Sequence, residues 1–382
     1  MPFDMDLVQR GARLRRTPFF EATQRWGAKA YTVYNHTLFP ICYGDLEEEY
    51  RHLTNHVTLW DVSVERQVEI TGPDALAFTN LLTPRDLTRC AVGQGKYVLI
   101  TAHDGGIVND PVLLRLAENH FWLALADSDV LLWAKALASE RKLRVTVTEP
   151  DVSPLQVQGP KAKQVVAALF GDQVAALKYY FFVETTLDGI PVVVTRTGWS
   201  GEVGFEIYLR DGSRGDELWE RIMQAGKAYD IRPTGPSDIR RVEAGILNWG
   251  ADIRLEDTPY HVGLERLIDA DKSSDYVGRE ALQRVAREGV TRKLVGVEIA
   301  GEKLPFNPTP LPVLARGEVV GRVTSAIWSP RLAKNIGYAM VPMAHAGTGT
   351  SFTVPLPSTM GDRVATVVPM PFVDQRKAIP KS

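Results

Sequence analysis

The sequence predicts an α+β fold that ends in a small, separate β-rich domain. Three observations predict it. From residue 31 onward, strand-like and helix-like stretches alternate irregularly, without the regular βαβ succession of a doubly wound sheet. One layout (strand, Gly-Pro turn, helix) occurs at 68–82 and again at 155–170, which suggests an internal duplication. After Leu294 the strands shorten, and proline and glycine become more frequent.

Taken in order, residues 66–70 (RQVEI) alternate polar and apolar, a strand pattern, and Thr71-Gly72-Pro73-Asp74 turns them into a helix over 75–82 with Asp74 as its cap. Residues 96–101 and 107–116 read as a hairpin about His103-Asp104-Gly105-Gly106. A strand at 121–126 precedes a helix at 128–141, capped by Ser128 or Asp129. Strands at 190–196 and 205–209 flank the turn Gly198-Trp199-Ser200-Gly201, and helices follow at 217–229 and 237–248. Five short strands, at 294–299, 318–324, 336–341, 351–354 and 363–368, predict a small barrel or sandwich. The charged stretch 284–292 marks the boundary, giving domains at 1–290 and 291–382.

Composition narrows the function. The chain has 382 residues, 45% of them hydrophobic, and a net charge of −2, so it lacks the basic footprint of a nucleic-acid binder. Arg10, Arg13, Arg15 and Arg16 read as a solvated arm or helix face, with an anion contact as the functional alternative. Two distant cysteines, Cys42 and Cys90, point to small buried side chains, no disulfide framework and a reducing, cytoplasmic setting. No apolar run approaches the roughly 20 residues of a membrane span, and the N-terminus reads as mature, without a signal peptide.

Several chemistries are missing. Val98 stands where a dinucleotide fingerprint starting at Gly93 needs its third glycine, and no phosphate-loop motif occurs. Ser200 lies in G-W-S-G, not in a nucleophile elbow. His52 and His56 share a helix face, but no third ligand is evident, so a structural role is favoured over a metal site.

Four segments then stand out: Gly95-Lys96-Tyr97, 105–110 (GGIVND), 197–208 (TGWSGEVGFEIY) and 241–245 (RVEAG). Together they closely resemble the folate-binding aminomethyltransferase family, typified by the glycine cleavage T-protein. Segments 275–282 (DYVGREAL) and 328–337 (WSPRLAKNIG) continue the resemblance, in the family's order, from about Tyr31 to Val368. Within the family, 30–36 (AYTVYNH), 60–68 (WDVSVERQV), 108–112 (VNDPV) and 126–130 (ADSDV) resemble the branch that demethylates dimethylsulfoniopropionate. Two departures from the T-protein pattern point the same way. Its Gly-Tyr-Thr-Gly turn is Gly198-Trp199-Ser200-Gly201 here, and Ser237 stands where T-proteins place an arginine near folate.

The resemblance implies a multi-subdomain folate-binding fold followed by a C-terminal β-barrel. It also implies an enzyme that moves a methyl group from a small onium substrate, first of all dimethylsulfoniopropionate, to tetrahydrofolate. The products would be 5-methyltetrahydrofolate and 3-methylthiopropionate. Glu206 would take paired donors of the pterin in a bidentate arrangement, and Asp110 would lie near folate N5 as the catalytic carboxylate. Tyr97 and Tyr208 would pack against or hydrogen-bond the pterin. Trp199 borders folate and offers the onium an aromatic face, with Tyr31, Tyr34 and Trp60 behind it. No metal is implied, the partner is a small molecule, and a homodimer is compatible. Arg16, Lys29 and Arg196 are the candidates to meet a substrate carboxylate. The alternatives are T-protein-type aminomethyl transfer, betaine or methylamine demethylation, and a non-catalytic folate-binding scaffold.

Overall fold

The computed structural model describes residues 14–305, 309–357 and 360–382. Arg10, Arg13 and the N-terminal reading fall outside them. Two antiparallel sheets form the first part of the chain. In the first, the strands Thr146–Thr148, Gln67–Thr71, His120–Ala124, Val112–Ala117 and Gln94–Tyr97 lie side by side in that order. In the second, the order is Phe182–Leu187, Ile190–Thr195, Gly204–Leu209, Ser153–Gln158, Val57–Asp61 and Ile231–Pro233, with only the last pair parallel. Helix Ala75–Leu82 follows strand Gln67–Thr71, and helix Ala162–Phe170 follows strand Ser153–Gln158. In both cases the chain then returns to lay a later strand beside the one it started from. The duplicated layout is therefore real, with Val57–Asp61 added inside the second copy.

The two strand-to-helix junctions use the same backbone device. Gly72 has φ +120 and Gly159 has φ +127. A Cβ on Gly72 would lie 2.5 Å from the Arg144 carbonyl oxygen, and one on Gly159 would lie 2.5 Å from that of His56. A side chain is excluded there both by conformation and by space. Each helix covers a core of its own sheet, while Leu114, Trp122, Phe182, Val193 and Tyr208 fill the seam between the sheets.

The C-terminal part is a closed barrel of six strands: Arg292–Ile299, Lys334–Pro342, Glu318–Ser329, Leu311–Ala315, Ser351–Pro355 and Asp362–Val368. It rests on the first part through Leu294, Ile327, Ile336 and Tyr338, packed against Leu99, Ile107, Val242 and Ile253. Tyr338 Oη donates to the Val242 carbonyl at 3.0 Å. The barrel strand missing from the sequence reading is Leu311–Ala315. Pro310 and Pro312 give it the look of a loop, and its pairing with Ser351–Pro355 is confined to Leu314 opposite Thr353.

Other expectations need correction. The helix expected over 237–248 runs only Asp238–Glu243, because the chain turns out at Gly245 (φ +66). Asp74 does not cap its helix; it pairs with Arg144. Neither Ser128 nor Asp129 caps Val130–Glu140, since Ser128 Oγ donates to the Val108 carbonyl at 2.6 Å. The hairpin is broken into two short pairings, Gln94–Tyr97 with Val112–Ala117 and Ile100–Thr101 with Ile107–Asn109. No helix among the described residues is long and apolar enough to cross a membrane.

The junction glycines give a stability test. Gly159→Ala combines a left-handed backbone with a backbone clash, and a loss of about 2 kcal/mol or more is expected. Gly189→Ala, at φ +81 with nothing within 4 Å, should lose only about 1 kcal/mol. Urea unfolding midpoints of the two variants check the difference.

Candidate active site

Strand register builds the floor of the site. Thr195 lies opposite Glu206, Glu206 opposite Gln156, and Gln156 opposite Trp60. Directly opposed residues of an antiparallel sheet share a face, so four strands contribute one row of side chains. Glu206 is 3% exposed, and a buried carboxylate needs donors. Gln156 Nε2 donates to Oε1 at 2.9 Å, while Tyr208 Oη and Thr197 Oγ1 donate to Oε2 at 2.7 Å each. Thr195 Oγ1 adds a weaker contact at 3.4 Å. Burial still pushes the Glu206 carboxyl up, against the pull of these donors.

The 197–201 turn is shaped by Gln158. Ser200 Oγ donates to Gln158 Oε1 at 2.5 Å, and a Cβ on Gly198 would lie 2.2 Å from that same side chain. Ser200 is thus a structural residue. Trp199, half-buried, packs with Phe39 against Trp60, Leu53 and Val62. The Arg241 guanidinium sits 5.6 Å over the Trp199 ring and is itself held by Asp252 and Asp238 at 2.6 Å. Trp60 is fully buried with its Nε1 unpartnered among the described residues.

The first sheet brings the second carboxylate. Asp110 Oδ2 accepts from Tyr97 Oη at 2.8 Å. Gly95 N donates to the Tyr180 carbonyl at 2.7 Å, which ties the Gly-Lys-Tyr strand to the second sheet. Burial pushes the Asp110 carboxyl up to about 7, with the Tyr97 hydrogen bond opposing the shift. Next to it, Asn109 locks Ala126 through both its N–H and its carbonyl, at 3.0 and 2.9 Å. Tyr34 comes from the tip of the hairpin Ala30–Tyr34 and Thr37–Cys42, edge-on to Phe39 at 5.8 Å. Burial pushes its hydroxyl well up, with Glu65, Asp110 and Asp127 adding to the effect.

Tyr97, Asp110, Glu206, Tyr208, Tyr34, Trp60 and Trp199 therefore gather around the seam between the sheets. Tyr31 does not. Its hydroxyl bonds Thr23 Oγ1 at 2.7 Å, its ring packs on Phe20 at 5.4 Å, and the acids near it are Asp61 and Glu21. None of the basic candidates for a substrate carboxylate is free in the site. Arg16 pairs with Glu21 at the surface, Lys29 is exposed, and Arg196 is buried, donating to the carbonyls of Gly204 and Ser382. The sequence reading missed Gln156 and Thr195, which strand register brings to Glu206, and Thr197, which reaches it from the turn just past the strand. It also gave no role to Glu65, although the residue lies in the 60–68 segment.

His52 and His56 do have a third neighbour, Asp230, whose Oδ2 lies 4.0 and 3.6 Å from their Nδ1 atoms. Lys161 Nζ already sits 3.1 Å from His56 Nδ1, and Arg232 pairs with Asp230. Two basic side chains thus occupy the would-be ligands, and the cluster reads as structural. Both cysteines are free thiols; Cys90 is buried and Cys42 only half-buried.

Comparison with known proteins gives the family. Residues 19–272 match the family model of the GCVT N-terminal domain, and residues 292–374 match that of the glycine cleavage T-protein C-terminal barrel domain. The chain is 42% identical over 348 residues to dimethylsulfoniopropionate demethylase of Ruegeria pomeroyi, covering 91% of this chain and 95% of that one. It is 34% identical over 352 residues to an aminomethyltransferase of Symbiobacterium thermophilum, covering 89% and 93%. The crystal structure of glycine cleavage system aminomethyltransferase T from Bartonella henselae superposes with a TM-score of 0.83 at 25% identity, covering 94% and 98%.

The raised Asp110 carboxyl predicts a stability signature. Its ordinary value is 3.8 and its folded value about 7, so between these the folded state binds more protons than the unfolded state. Stability then falls as pH rises through that window. Asp110→Asn removes this contribution. Urea midpoints at pH 5 and pH 8 should differ less in the variant than in the wild type, and at pH 8 the variant should be the more stable.

Proposed function

Because the chain belongs to the glycine cleavage T-protein family, we propose that it is a tetrahydrofolate-dependent demethylase whose donor is dimethylsulfoniopropionate. The observation that carries the folate part is the donor set around Glu206. Three strong donors use three of a carboxylate's roughly four acceptor positions, and Thr197 can turn to the Thr195 hydroxyl beside it. Glu206 is thereby left able to accept the paired N–H donors of a pterin. Tetrahydrofolate, when bound, supplies N5 as the nucleophile that receives the methyl group.

The chain's own residues do the rest. Gln156 and Tyr208 fix Glu206, and Tyr97 fixes Asp110. Because Tyr97 occupies Oδ2, Asp110 Oδ1 is available to take the proton that N5 releases. Tyr34, Phe39, Trp60 and Trp199 make an aromatic wall for a methylated cation, an attraction of about 2 kcal/mol when water is excluded. A sulfonium is already a good leaving group, so alignment matters most; well-oriented systems gain roughly 7–11 kcal/mol from it. Ser237 only caps its helix, accepting from Arg240 N at 3.2 Å, so this site holds folate without an arginine there. In this reading residues 1–290 carry the chemistry, and 291–382 form a barrel domain that buttresses the 241–245 segment through Tyr338. The free thiols suit a cytoplasmic setting.

The test is anaerobic incubation with tetrahydrofolate and methyl-deuterated dimethylsulfoniopropionate, with glycine betaine, dimethylglycine and S-methylmethionine in parallel. Labelled 5-methyltetrahydrofolate from the sulfonium acid is expected, falling about 100-fold or more with Asp110→Ala. Absence of labelled folate from every donor, with folate bound, would contradict the reading. Tyr97→Phe removes the hydrogen bond that lowers the Asp110 carboxyl. The acidic limb of the kcat/KM profile, near pH 7 in the wild type, should move to higher pH.

A further inference from the structure

Glu65 differs from the other acids of the site. Glu206 and Asp110 have hydrogen-bonding neighbours, whereas the Glu65 side chain has no hydrogen-bond or ion-pair partner among the described residues. Its backbone is fixed all the same. Glu65 N donates to the Val62 carbonyl at 2.9 Å, and Gln67 Nε2 donates to the Glu65 carbonyl at 2.6 Å. Asn35 Nδ2 spans the carbonyls of Val64 and Ala126, 3.0 Å to each, and Asn109 closes on Ala126 from the other side. Glu65 and Asp110 each follow directly on a residue of this one clasp. Burial pushes the Glu65 carboxyl well up, and Glu206 and Asp110 add to it with no basic group offsetting them. An unpaired acid in such a place ionises when a cation comes to rest beside it.

Folate engages Glu206 and Asp110 in the reading above, which leaves Glu65 facing the second ligand. We propose that Glu65 is the carboxylate that recognises the positive charge of the methyl donor, so that the site selects an onium over a neutral molecule of the same shape. This inference rests on the demethylase reading. The donor carries its charge before transfer and loses it during transfer. A carboxylate that meets the initial charge therefore strengthens binding without lowering the barrier. Its loss should raise KM and leave kcat nearly unchanged, a split that a purely structural residue would not give.

The test uses the full chain as wild type, Glu65→Gln and Glu65→Asp, with melting temperatures to report folding. KM and kcat are measured for dimethylsulfoniopropionate with tetrahydrofolate. Calorimetry compares binding of that zwitterion with 4-methylpentanoate, in which a neutral CH replaces the sulfonium. The wild type should prefer the zwitterion by about tenfold or more. Glu65→Gln should remove the preference by weakening the zwitterion alone, with kcat within about twofold, and Glu65→Asp should keep part of it. A wild type without preference, a Gln variant that keeps the preference, or one that weakens both ligands equally would overturn the proposal. Failure of the demethylase reading looks different, since the wild type itself would then transfer no methyl group.

Discussion

Taking the Glu206 carboxylate out of water is the constraint around which the site is arranged. A charged group buried without donors would unfold its surroundings or stay protonated. The sheet answers with one row of polar side chains from neighbouring strands, Thr195 and Gln156 on either side of Glu206, and with Tyr208 two residues along the same strand. A one-residue slip of any of these strands would turn its member to the opposite face. The apolar cores that fix the register, Leu155, Val157, Phe205 and Ile207 among them, are thus what makes the carboxylate usable.

The second carboxylate depends on the seam rather than on one sheet. Asp110 sits where the hairpin breaks into two short pairings, and the break puts it between Asn109, which locks Ala126, and Val112, which returns to regular pairing. Tyr97 reaches it from the facing strand. An acid poised near neutrality by burial, and restrained by the Tyr97 hydroxyl and its own backbone N–H, suits a proton acceptor better than a fixed anion does. Among the described residues the barrel contributes no acid to this arrangement; it steadies the 241–245 segment, whose Arg241 covers one face of Trp199.

Much of this was legible in the sequence where the signal is local. Glu206 and Tyr208 lie two apart in one strand, so their shared face follows from strand periodicity. Asp110 and Tyr97 flank a readable turn. The rest depends on long-range register. Gln156 is 50 residues from Glu206, and nothing about its neighbours marks it. Glu65 lies inside the 60–68 segment, but no spacing there marks its side chain, whose meaning comes from what surrounds it. Residue type alone groups Tyr31 with Tyr34, but a spacing of three puts them on opposite faces of a strand. Prolines hide the strand Leu311–Ala315, and the apolar spacing after Ser237 runs past Gly245, whose left-handed backbone turns the chain out of the helix.

The central claim is that Glu206, held by its row of donors, is what binds folate. The most direct measurement is the dissociation constant of tetrahydrofolate for the wild type and for Glu206→Gln, by anaerobic calorimetry at pH 7.5. The Gln variant replaces one acceptor oxygen with a donor while keeping the shape. Loss of a charge-assisted pair predicts weakening by about 10- to 100-fold, with folding intact. Equal affinity in the two proteins would mean that folate is recognised elsewhere and that the row around Glu206 serves another purpose.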